Sequence, residues 1–177
     1  SSTSEIATWL MLSLIRNTTL AAADVKSGKW NRNDFVGNTL RGKTVGIVGF
    51  GRLGSQFSRI CTSLGMKVTA YDLVEKSDDS ATFFNSLEEL VRQADVVSLH
   101  VDDRGENLDL VNAAILSNFR PGAILINTSR GFVVNEKDIV DAIQRNVIRA
   151  YGTDVLSGEH GGDSKWLKES PLWQAYH

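Results

Sequence analysis

Cysteine is almost missing from this sequence. The 177 residues hold one, Cys61, so no disulfide can form within the chain and a disulfide-stapled secreted fold is excluded. That scarcity points to a reduced, cytoplasmic setting. Proline is nearly as scarce: Pro121 and Pro171 are the two present, so few elements are forced to break. An excess of one charge is also missing. The formal net charge of -2 gives no electrostatic case for a nucleic acid as partner. No apolar run is long. The stretch from Ile6 to Ile15 is interrupted by Thr8 and Ser13, and a bilayer span needs about 20 apolar residues, so no membrane partner is expected. The same stretch has neither the basic flank nor the cleavage site of a signal peptide. Nothing resembles a metal site. Internal repeats and low-complexity segments are absent as well.

What is present is ordinary globular material. With 42% hydrophobic and 23% charged residues, the chain can bury a single core. Ser2 and Glu5 have capping-box spacing, which predicts a helix from about Thr3 to Lys26, closed by Gly28. Ile6, Trp9, Leu10, Ser13 and Leu14 share one helical stripe. Residues 28–42 are polar and irregular, with Trp30 and Phe35 as expected anchors. From Lys43 strands and helices alternate. Strands are expected at Thr44–Gly49, Lys67–Tyr71, Asp95–Val101, Ala123–Asn127 and Ile148–Thr153. Helices are expected at Leu53–Leu64, from Ser86 to about Arg92, at Val111–Leu116, and from Asn135 through Arg145. Strands apolar on both faces and separated by helices imply a parallel sheet covered on both sides. Right-handed crossovers then give an α/β, doubly wound fold.

The first of these strands runs into Gly49-Phe50-Gly51-Arg52-Leu53-Gly54. A G-x-G-x-x-G run is a weak signal alone. Here it has a strand before it, a helix after it and an acid, Asp72, at the end of the next strand. Gly49 makes the tight turn, Gly51 lets a pyrophosphate approach the backbone, and Gly54 lets helix and strand pack closely. The helix N-terminus offers free N–H groups and partial positive charge to phosphates. Asp72 would accept the adenosine ribose hydroxyls, and a 2′-phosphate would meet its charge. No arginine follows within the next few residues, so NAD is expected over NADP.

The run GKTVGIVGFGRLGSQFSR, then DVVSLHV, PGAILINTSRG and Gly152-Thr153-Asp154-Val155, resembles the NAD-binding Rossmann domain of the D-2-hydroxyacid dehydrogenases, a group that includes the 3-phosphoglycerate dehydrogenases. The resemblance covers essentially the whole chain. It implies one NAD-binding domain over 1–177, with a crossover helix at 1–27 and the Rossmann core at 43–154. It also implies a flanking substrate domain absent from the chain, as for a domain cut from a longer polypeptide. It implies hydride transfer between NAD(H) and a 2-hydroxy or 2-keto acid. By this resemblance Arg52 and Leu53 lie at the pyrophosphate, and Asp72 holds the ribose. His100 and Val101 line the cofactor crevice. Thr128, Ser129 and Arg130 line the nicotinamide side, and Asp154 contacts the carboxamide. Arg130 resembles the catalytic arginine, which would grip a substrate carboxylate. Glu159 resembles the acid that orients a catalytic histidine.

The resemblance places that histidine beyond Pro171-Leu172. None of His100, His160 and His177 fits, so the chain is expected to bind NAD without turnover. Asp102 and Asp103 depart from the family, which often has a proline and an apolar residue there. They read as a solvated acidic loop. Family members commonly pair through this domain, so a homodimer using the first helix is expected. A buried, inert thiol is expected at Cys61. One reading of another class stays open: a non-catalytic NAD(H)-sensing protein, like the corepressors that share this fold. A Rossmann domain for another ligand is weakened by Asp72 and the NTSRG segment.

Overall fold

The computed structural model describes residues 2–74, 78–159 and 164–176. Six strands form one parallel sheet: β1 Thr44–Val48, β2 Lys67–Tyr71, β3 Thr82–Phe83, β4 Val96–Leu99, β5 Ala123–Asn127 and β6 Ile148–Thr153. Their order across the sheet is β3-β2-β1-β4-β5-β6. The chain winds outward one way from β1, returns to β4, and winds the other way. Strand order therefore reverses between β1 and β4, where Val48 pairs with Leu99. Ligands of open α/β sheets bind beyond the strand ends at such a switch point.

The helices are α1 Ser2–Arg16, α2 Thr18–Lys26, α3 Arg52–Ser63, α4 Leu87–Gln93, α5 Ala113–Leu116, α6 Glu136–Gln144 and α7 Pro171–Tyr176. Alternation along each strand feeds two cores, because successive side chains face opposite sides of a sheet. Val97, Leu99 and Leu125 join Leu90, Val91, Ile139 and Ile148 on the face covered by α4 and α6. Val96, Ile124 and Ile126 join Leu10, Met11, Phe57 and Cys61 on the face covered by α1 and α3. Cys61 is buried, and burial pushes its thiol up to about 12.

Three expectations are corrected. The first helix does not run unbroken to Lys26. Asn17 adopts a left-handed conformation with φ 55°, and the Thr18 and Thr19 hydroxyls bond to Ser13 Oγ, as hydroxyls that compete with helix geometry do. The buried stripe of α1 is Ala7, Leu10, Met11 and Ile15, while Trp9 is 61% exposed. Trp30 anchors nothing, being 77% exposed. In the remainder, element types agree and ends move slightly. Ser86 caps α4 by accepting from the Glu89 amide, and Asn135 caps α6 by accepting from the Asp138 amide. The helix expected from Val111 begins at Ala113, because Val111 bridges to Val134 and Asn112 is the cap.

Candidate functional site

The glycine turn is built by steric requirement. Gly49 has φ 88°, and a Cβ there would lie 2.7 Å from the His100 carbonyl oxygen. A Cβ on Gly54 would lie 2.2 Å from the Gly49 oxygen, so α3 can rise directly from the turn. Gly51 is different: a Cβ on it would meet nothing within 4 Å. It faces open space at the start of α3, where Gly51 as the N-cap residue has no side chain to cap the first amides. Arg52 is exposed in that first turn. Leu53 is half-buried, and its carbonyl accepts from Ser4 Oγ, tying α1 to α3.

Asp72 stands at the end of β2 and does more than await a ligand. Its Oδ2 accepts the Phe50 amide at 2.7 Å and its Oδ1 accepts the Val74 amide at 3.0 Å. The carboxylate therefore braces the glycine turn from the neighbouring strand. A carboxylate can accept about four hydrogen bonds, so this brace is compatible with receiving ribose hydroxyls. A cleft of about 370 Å³ opens beside it, lined by Gly49, Gly51, Asp72, His100 and Val101 together with Leu73, Val74, Arg104 and Leu110. The His100 ring packs against Phe57 at 5.0 Å, and its Nε2 lies 3.0 Å from Ser98 Oγ. Burial pushes its pKa down to about 4, so it is neutral at pH 7.

Thr128, Ser129 and Arg130 sit beyond β5 on the same carboxyl edge of the sheet, outside the lining of that cleft. Ser129 Oγ donates to the Leu99 carbonyl at 2.8 Å, which locks this turn to β4. Arg130 is half-exposed. Its Nη1 donates to the Ser129 carbonyl, and its Nη2 lies 3.9 Å from Asp103. Asp154 follows β6, and its pKa is raised, first by partial burial and then by the charge of Glu159. The two acids are thus within electrostatic reach of each other. Glu159 itself is exposed, its amide donating to the Leu156 carbonyl. His160 and His177 lie outside the described residues.

Sequence reasoning missed two supports. Asn127 is fully buried and shapes the Arg130 turn, donating to the Arg130 carbonyl and accepting the Ser129 amide. Glu136 is also buried; it accepts the Ser157 amide and the Ser170 hydroxyl, both at 2.7 Å. Its position at the start of α6 was a signal, since acids favour helix N-termini. Its distant partners left none. The solvated loop expected at Asp102 and Asp103 is also more structured than the sequence suggests. Asp102 holds Arg104 in a two-point ion pair, and Asp103 turns toward Arg130.

A dinucleotide fits these residues. Gly51 leaves a space that a Cβ would enter freely, and two buried polar atoms, Thr128 Oγ1 and His100 Nδ1, have no hydrogen-bond partner among the described residues. Residues 8–177 match the family model described as D-isomer specific 2-hydroxyacid dehydrogenase, NAD binding domain. The chain belongs to this family. It is 39% identical over 159 residues to the D-3-phosphoglycerate dehydrogenase of Haemophilus influenzae, covering 89% of this chain and 39% of that protein. It is 31% identical to the hydroxypyruvate reductase of Thermotoga maritima, covering 89% of this chain and 52% of that one. The chain therefore spans only about a third to a half of such relatives. Among solved structures, D-2-hydroxyisocaproate dehydrogenase superposes with a TM-score of 0.88 at 29% identity, over 98% of this chain and 55% of that one. The NAD-dependent formate dehydrogenase of Staphylococcus aureus, solved with NAD, gives a TM-score of 0.87 at 26% identity, over 96% of this chain and 52% of that one.

Proposed function

We propose that this NAD-binding domain serves hydride transfer between NAD(H) and a D-2-hydroxy acid or its 2-keto acid, 3-phosphoglycerate-like substrates included. The bound cofactor would supply the hydride. This chain's residues bind, orient and polarise. One observation carries the reading: the open Gly51 turn feeds the uncapped start of α3 while Asp72 stands at the end of β2. Phosphates would take the α3 amides, and the ribose hydroxyls would donate to Asp72. The Thr128 hydroxyl and Asp154 would hold the nicotinamide end. The Arg130 guanidinium would grip the substrate carboxylate and draw charge from the reacting oxygen.

His100 is unsuited as the general acid, because burial pushes its pKa down to about 4 and the imidazole is not protonated to imidazolium at pH 7. In this reading Glu159 would orient the histidine that gives the proton, while the Gly51 turn and Asp72 would hold the cofactor. Calorimetric titration with NADH and NADPH tests this. NADH should bind about tenfold tighter or better, a difference of about 1.4 kcal/mol. Equal or tighter NADPH would refute the role of Asp72, and no binding of either would refute the reading.

We also propose that the domain pairs into a homodimer through the α1–α2 side. Trp9, Leu20, Trp30 and Val36 are more than half exposed there, an apolar surface that association would cover. Light scattering checks it: a mass near 19.4 kDa at micromolar concentration would sink the dimer. The buried thiol of Cys61 suits a reducing compartment such as the cytoplasm.

A further inference from the structure

Past Asp72 the cleft is walled by apolar side chains that water should not favour. Leu73 is 66% and Val74 64% exposed, and Val101 and Leu110 complete the wall. If the ribose meets Asp72 and the phosphates meet α3, the adenine ring comes to this wall. Arg104 lines the same cleft from the loop after β4. The inference rests on the cofactor reading above and adds a residue to it.

The state of the Arg104 guanidinium decides what it can do. Its Nε donates to Asp102 Oδ1 at 2.7 Å and its Nη2 to Asp102 Oδ2. Asp102 is fixed in turn by the buried Asn107, whose Nδ2 donates to the Asp102 carbonyl at 3.0 Å and to Oδ1 at 3.1 Å. The fork consumes one edge of the guanidinium and neutralises its charge locally. The fork lies in the guanidinium plane and does not use its faces, and the side chain is about half exposed; a planar guanidinium stacks well through its faces. A 2′-phosphate would find a cation already paired, with Asp72 close enough to contribute, after Asp102 and Glu106, to the guanidinium's hold on its proton. An uncharged aromatic ring suits this surface better than an anion.

We propose that Arg104, held flat by Asp102, stacks on the adenine ring of the cofactor and is a binding residue of the adenosine end. Asp102 is then the clamp that orients the plate.

The test is calorimetry on the 177-residue chain with four ligands: NADH, NADPH, ADP-ribose and reduced nicotinamide mononucleotide. Variants are Arg104→Ala, Arg104→Lys and Asp102→Asn. Arg104→Ala should weaken NADH and ADP-ribose by about two- to thirtyfold, the range from an exposed to a desolvated guanidinium over a π-system. Binding of the mononucleotide should not change. Arg104→Lys should recover little, because it restores charge without the plane, and Asp102→Asn should fall between. Three results would overturn the proposal: ADP-ribose binding unchanged in Arg104→Ala, full recovery in Arg104→Lys, or an equal loss of mononucleotide binding. A loss confined to NADPH would also overturn it, by making Arg104 a phosphate ligand. Failure of the unaltered chain to bind NADH would sink the cofactor reading itself, a separate result from any of these.

Discussion

Replacing Asp72 by asparagine separates two roles that sequence motifs merge. If the carboxylate serves only the ribose, Asp72→Asn should weaken cofactor binding and leave the ligand-free domain untouched. The structure argues for more. Asp72 accepts two backbone amides, one from Phe50 within the glycine turn and one from Val74. Asparagine has one carbonyl oxygen, so one of these amides would face an NH2 group. A hydrogen bond to a charged acceptor is worth about 1.5–3 kcal/mol. Losing one bond and the charge on the other, at a half-exposed site, should cost about 2 kcal/mol. For a domain of this size each kcal/mol moves the melting temperature by about 2–4 °C, so ligand-free Asp72→Asn should melt about 4–8 °C lower. Circular dichroism melts without cofactor measure this. An unchanged melting temperature together with weakened NADH binding would refute the brace and leave Asp72 as a ribose ligand alone.

The ligand-free domain should also carry an acid-sensitive term from His100. Its pKa lies at about 4 in the folded protein against an ordinary 6.5, so between these values the unfolded chain binds the extra proton. Stability must then fall as pH drops from about 6.5 to 4. The full shift is worth up to about 3 kcal/mol, reduced to about 2 kcal/mol because the residue borders the open cleft. Urea unfolding across that window should give a flatter pH dependence for His100→Gln than for the unaltered chain, and parallel curves would sink the assignment. Glu136→Gln should loosen the segment it clamps at Ser157 and Ser170, with a cost of about 1–3 kcal/mol. Hydrogen exchange should quicken there and stay slow in β1 and β4; unchanged exchange at Ser157 would show that Glu136 does not hold the loop.

Most of the sheet was legible because its signals are local. Five strand runs, the caps at Ser86 and Asn135, and the glycine turn each depend on residues a few positions apart. β3 was invisible: two residues, Thr82 and Phe83, cannot display a period. The break at Asn17 was hidden because the apolar residues continue on both sides of it, and only the left-handed backbone and the hydroxyl cluster around Ser13 mark the stop. The site divides in the same way. Gly49, Gly51, Gly54 and Asp72 announce themselves by type and spacing. Asn127, Glu136 and the Asp102–Arg104 fork do not. Their meaning comes from partners supplied by other elements or by a loop conformation that composition does not specify.

The same distinction bears on how Arg130 and Glu159 come to share one end of the sheet. Nothing in the short range joins them, and neither side chain touches the other in the hydrogen bonds or ion pairs described. The join is steric, at the glycine after Arg130. A Cβ on Gly131 would lie 2.1 Å from the carbonyl carbon of Leu156, so the turn carrying the arginine is pressed against the backbone that leads to Glu159. Glu136 then fixes that backbone from the other side through the Ser157 amide. With no side chain at Gly131 to yield, an added methyl group must displace one loop from the other. A glycine and a buried carboxylate, neither of them reactive, thereby set the spacing between the group proposed to hold the substrate and the group proposed to orient its proton donor.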